Sequence, residues 1–224
     1  MADKVDYAVQ DCGQLEKTVA AYFEAMAKKG FTEARKQALT SARELVVQKS
    51  SAQTNAVKLV EVKTVEQNTA MANSAKIIQQ VKDGAKASFE TGDARLKLFR
   101  IGDQMPTSVK KMRSLFEYMS PVVLEYTGTL LQNGLEQADI DLFHSTYATL
   151  VAADTAQENA KKMQKSATIS RDDAYVALKK EMSKVRAFAN TCFKNNPEIL
   201  VQFEPIAKGR GGENEDTPPV QPPQ

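Results

Sequence analysis

The feature that constrains this chain most is where its helix breakers are missing. No glycine or proline occurs in residues 31–82 or in residues 135–196. Both stretches are rich in Ala, Lys, Glu, Gln and Leu, which lose little on entering a helix. Small and apolar residues recur there at spacings of three and four: Val46, Ala56, Val60, Ala70, Val81 and Ala85 in the first, and Ala160, Met163, Ala174, Leu178, Met182 and Val185 in the second. That is the period of a helix buried along one stripe. Nothing alternates with period two over a useful distance, so strands are not supported. The chain reads as all-α.

A stripe that keeps its phase over about sixty residues predicts one helix per stretch, roughly 90 Å long. The rival arrangement breaks each helix, near Thr64 and near Ser170, because Thr64 with Gln67 and Ser170 with Asp173 approach capping-box spacing. The constant phase favours continuous helices. Two short and two long helices then make the fold, or six helices if the long ones break.

Sliding the chain against itself by 104 residues exposes an internal repeat. Ala52-Gln53-Thr54-Asn55-Ala56 meets Ala156-Gln157-Glu158-Asn159-Ala160, and Gly30 meets Gly134. Thr64, Ala70, Val81, Phe89, Leu96 and Phe99 meet Thr168, Ala174, Val185, Phe193, Leu200 and Phe203. These are turn glycines, stripe residues and terminal aromatics, the parts of one packing plan used twice. Residues 1–104 and 105–208 are therefore read as duplicated halves packed into a single domain, an elongated antiparallel bundle. Each half holds a first helix (residues 5–29 or 109–133), a glycine turn, a long helix and a closing segment (residues 93–99 or 197–203). Gly30 and Gly134 suit the left-handed residue that ends a helix. Pro197 suits a first helical turn. Leu96, Phe99, Leu200 and Phe203 are expected to plug the bundle ends, and Pro121 to kink or restart its helix. Residues 209–224, with Gly, Pro and three carboxylates, read as a disordered tail. Its Pro219-Val-Gln-Pro222 has the bare spacing of a polyproline ligand.

Composition removes several function classes. With 1 His and 2 Cys, the chain cannot supply a zinc site, a pair of Glu-x-x-His motifs, bis-histidine haem ligation or a dithiol redox motif. No glycine-rich phosphate loop sits between a strand and a helix. Catalytic, metal and cofactor-binding residues are accordingly predicted as none, and the chain as not an enzyme. The 30 basic and 28 acidic residues nearly cancel. They are unevenly placed, however: residues 115–159 carry seven carboxylates and no Lys or Arg, and residues 161–194 carry nine basic residues against three acidic ones. Neutralisation between neighbouring segments explains this more simply than a nucleic-acid face, since no aromatics interleave the lysines. The N-terminus lacks an apolar run of signal-peptide length, residues 115–131 are too interrupted to span a membrane, and two lone thiols fit a reducing compartment. A cytoplasmic location is expected.

The duplicated Ala-Gln-x-Asn-Ala segment is the most informative polar feature. Gln53, Asn55, Thr64, Gln157, Asn159 and Thr168 are read as a polar layer in the seam between the long helices. Such a layer fixes register at a cost in stability. The sharper alternative makes the same residues line a small-ligand site.

The second half also carries Thr168-Ile-Ser-Arg171-Asp172-Asp-Ala174, Leu178, Met182 and the ending Asn196-Pro197-Glu-Ile-Leu200-Val-Gln-Phe203. Over residues 134–203 it resembles a group of uncharacterised all-helical bacterial proteins. That resemblance implies a helical fold and a bacterial source, and brings no catalytic residues. The functional expectation is a structural or protein-interaction module that binds a protein partner or itself. A ligand-binding bundle is the alternative, with a helical nucleic-acid binder behind it.

Overall fold

A computed structural model describes residues 4–206; the tail expected at residues 209–224 lies outside them. The described residues are 84% helical and include no strand. Its helices are α1 (Lys4–Ala27), α2 (Glu33–Ser88), α3 (Arg95–Leu98), α4 (Val109–Gln132), α5 (Gln137–Cys192) and α6 (Pro197–Leu200), followed by a 3₁₀ turn at Val201–Phe203. Helices α2 and α5 each run for 56 residues without interruption, and their bounds are 104 residues apart.

The continuous-helix arrangement is thus the observed one. Thr64 does not cap a new helix; its hydroxyl donates back to the Val60 carbonyl at 2.8 Å, within the turn it already belongs to. Nor does α4 restart at Pro121. Proline removes one intrahelical bond, the one to the Glu117 carbonyl. Pro121 and Glu117 are both exposed, so water can serve that carbonyl, while buried Met119 and Val123 hold the helix to its core.

The described residues divide into two compact units, and the division falls inside both long helices rather than between residues 104 and 105. Unit 1 contains α1, residues 33–52 of α2, residues 168–192 of α5, α6 and the 3₁₀ turn. Unit 2 contains residues 53–88 of α2, α3, α4 and residues 137–167 of α5.

In unit 1, α1 buries Val5, Ala8, Cys12, Leu15 and Val19 at alternating spacings of three and four, and Met26 seven residues further on. They pack with Leu39 and Val46 of α2, and with Leu178, Met182, Val185 and Ala189 of α5. Gly30 (φ +96°) ends the α1 turn, where Phe31 N–H donates to the Met26 carbonyl at 3.1 Å. A side chain would strain that left-handed backbone. The end of the unit is closed by Tyr22, Phe193 and Phe203, with centroid separations of 5.6–6.0 Å.

In unit 2, α4 buries Met112, Phe116, Met119, Val123 and Leu130 against Ile78, Val81 and Ala85 of α2 and Phe143 and Leu150 of α5. Leu135 packs so close to Gly84 that an added Cβ would stand 2.7 Å from its side chain. Phe89, Phe99 and Tyr126 close the end. Phe99 and Phe203 are therefore full plugs at 0% and 2% exposure, whereas Leu96 and Leu200 are half-buried at the rim.

Candidate functional site

The polar residues of the fold fall into two groups, one in each unit. In unit 2, α2 and α5 run antiparallel, because contact partners rise along one helix as they fall along the other. Gln157 Nε2 donates to Thr64 Oγ1 at 3.4 Å, Gln67 Nε2 to Asp154 Oδ1 at 2.8 Å, and Gln80 Nε2 to Asp139 Oδ1 at 2.6 Å. Arg113 of α4 adds a 3.2 Å ion pair to the other oxygen of Asp154. The carboxylate of Asp154 thus ties three helices together.

Of the six residues predicted for a polar seam, only Gln157 and Thr64 meet in this group. Gln157 is 6% exposed, and its Oε1 is buried without a hydrogen-bond partner. Gln53 is half-buried in unit 2, and Thr168 half-buried in unit 1. Asn55 and Asn159 are exposed, so the expectation that they share the seam is corrected. The reason is rotational: residues two apart on a helix point about 200° away from each other. Once Gln157, Ala56 and Ala160 face inward, Asn55 and Asn159 must face water.

The stronger group is in unit 1. Asp11 of α1, 6% exposed, accepts from Arg186 of α5 at 2.8 Å and from the Ile206 N–H at 3.1 Å. The Arg186 Nε also donates to the Phe203 carbonyl at 2.7 Å. Thr18 donates to the Gln202 carbonyl at 3.2 Å, and the Tyr7 hydroxyl donates to the Ile206 carbonyl. Further along α1, Glu16 pairs with Arg43 of α2 at 2.9 Å. Cys12 is fully buried beside these charges. Desolvation first, and the Glu16 carboxylate second, push its thiol up to about 12. Burial raises the Cys192 thiol as well. Both cysteines are therefore protonated near neutrality and poor nucleophiles.

The spacing pattern alone did not single out Asp11, Arg186 or Asp154. A signal was present: Asp11 lies on the flank of the Ala8–Cys12–Leu15 stripe, and Arg186 follows Val185 on the buried face of α5. A charge at an apolar phase implies a buried partner, but the partner is 175 residues away. His144, the one histidine, is exposed with its ring edge against Phe143.

Among the described residues, no three His, Cys, Asp or Glu side chains gather closely enough to hold a metal ion. No helix among them is long and apolar enough to cross a membrane. Compared with family models, with curated proteins and with solved structures, the chain matches none.

Proposed function

We propose that this chain is a non-enzymatic helical module that works through protein–protein contact, including contact with copies of itself. The observation that carries this reading is the exposure of aliphatic side chains at helical spacing on the long helices. In unit 1, Ile169 and Val176 stand seven residues apart on α5, more than half exposed. In unit 2, Val62 and Val65 stand three apart on α2, also more than half exposed. Residues three or seven apart share a helix face. Isolated surface aliphatics are ordinary, but pairs in phase give a partner helix something to pack against. The buried ion pairs and inert thiols of unit 1 fit a framework rather than a reacting centre, since each charged group there already has a partner.

A photo-crosslinking residue at position 65 or 176 of the full chain tests the reading. Adducts with a second copy, or with a defined protein in a cell extract, are expected at these positions and not at exposed polar Asn55. The absence of adducts at positions 65 and 176 in both settings overturns it. Fold class alone would not decide the question.

A further inference from the structure

Residues 201–206 are held in an unusual way. Four hydrogen bonds tie this strap to α1 and α5, and each joins a side chain of unit 1 to the strap's main chain. Tyr7 and Asp11 hold the carbonyl and the N–H of Ile206, Thr18 holds the Gln202 carbonyl, and Arg186 holds the Phe203 carbonyl. Of the strap's own side chains, only Phe203 is buried, between Tyr22 and Phe193. Val201, Gln202, Glu204 and Pro205 are exposed, and Ile206 is half-buried. A segment held by its main chain and one aromatic ring, here a 3₁₀ turn running into an extended end, is held as a groove holds a short peptide.

The packing plan does not require this clamp. The positions 104 residues from Tyr7, Asp11 and Thr18 are Lys111, Leu115 and Val122, none of which carries a hydroxyl or a carboxylate. In unit 2 the residue equivalent to Arg186 is Lys82, which makes a 3.4 Å bond to the Asp103 carbonyl. Of the four clamp positions, unit 2 thus keeps a main-chain contact only at Lys82 and has no hydroxyl or carboxylate at the other three.

We propose that the groove between α1 and α5 in unit 1 is a peptide site filled in cis. It takes a short segment that makes one 3₁₀ turn through an aromatic anchor and then runs extended, and the strap at residues 201–206 occupies it as an autoinhibitory contact. Asp11 and Arg186 read the main chain, and Tyr22 and Phe193 form the walls of the anchor pocket. Release of the strap leaves both charges paired to each other, so the groove can empty without stranding an ion. The clamp shares no residue with Val62, Val65, Ile169 or Val176, so it stands or falls independently of the contact surface proposed above.

Two measurements on the full chain test this. Phe203→Ala empties the anchor pocket; a synthetic peptide covering residues 197–206 is then titrated against that variant and against the unaltered chain. Binding to the variant is expected. The unaltered chain should bind about tenfold more weakly or not at all, since its own strap competes. Adding Arg186→Gln to the variant should weaken the peptide by about tenfold, the worth of one charge-assisted hydrogen bond. The peptide with alanine in place of the phenylalanine should not bind. Failure of the peptide to bind a variant that keeps its helical circular dichroism overturns the proposal, as does equal binding to both chains. The second measurement, hydrogen exchange on the unaltered chain, requires no substitution. The Ile206 amide should exchange at least about tenfold faster than the buried amides of α1, because the strap opens by itself. Equal protection would make the strap an ordinary part of the core and end the proposal.

Discussion

The two units build similar three-helix arrangements around different chemistry. At positions 104 residues apart, unit 1 has Asp11, Cys12, Glu16 and Arg43 where unit 2 has Leu115, Phe116, Ser120 and Tyr147. In unit 2 the result is an aromatic cluster: Phe116 lies 4.9 Å from Phe143 and 5.5 Å from Tyr147, centroid to centroid. In unit 1 the same places hold two ion pairs around a small buried thiol. Unit 2 gains more from hydrophobic burial there, which scales with apolar area. Unit 1 gains directional bonds that hold one specific segment. The helix frame tolerates either filling, because the stripe on the flanking long helices supplies the rest of each core.

The largest effect should come from removing the aromatic filling. Phe116→Ala is expected to destabilise unit 2 by about 4 kcal/mol, the usual cost of emptying a fully buried aromatic site. Chemical denaturation followed by circular dichroism measures it, and a loss below about 1 kcal/mol would show that the cluster is not what holds α4 down.

The charged filling should break nearly as badly, and for another reason. Arg186→Leu leaves the Asp11 carboxylate buried without its cation and should cost about 3 kcal/mol. Converting both members, Asp11→Leu with Arg186→Met, removes both charges and should restore most of the lost stability, because neither charge is then stranded. If the double variant is as unstable as the single one, the pair contributes more than mutual neutralisation.

Lys82 sharpens the comparison. It lies 104 residues before Arg186 and is 4% exposed, while the position 104 residues after Asp11 holds Leu115 in place of an aspartate. Burial lowers its pKa below the ordinary lysine value, with the Asp103 charge opposing that shift. The unfolded chain therefore binds the extra proton in the window between the lowered value and the ordinary one. Stability rises with pH across that window. Lys82→Met should remove this slope and stabilise unit 2 at neutral pH by about 1 kcal/mol; denaturation midpoints taken at neutral and at alkaline pH check both statements.

The smallest effect is expected at the exposed asparagines. Asn55→Ala and Asn159→Ala should each change stability by less than about 0.5 kcal/mol, as surface substitutions usually do. A loss above about 1 kcal/mol at either would return them to the seam.

Much of the architecture was legible in the residues. Turn glycines at 30 and 134, apolar stripes in constant phase and the aromatics at 99 and 203 marked the helices, their turns and their plugs, since each is a local consequence of backbone conformation or helical period. The Ala-Gln-x-Asn-Ala segment was legible only by half. Its repetition marked it as a special place, yet which of its polar side chains turns inward depends on the rotation of the helix about its axis. Ala56 and Ala160, buried at 9% and 2%, set that rotation.

Helix content and turn position were determined by the sequence alone, because the forces that set them act over a few residues, whereas the unbroken length of α2 and α5 was decided by the structure. The Asp11–Arg186 pair, the Asp154 bridge between Gln67 and Arg113, and the cut of the chain into units that divide both long helices were decided only by tertiary structure. Each joins residues tens to hundreds of positions apart. A buried charge is stable only where the fold brings its partner within hydrogen-bond reach, and no local pattern names that partner.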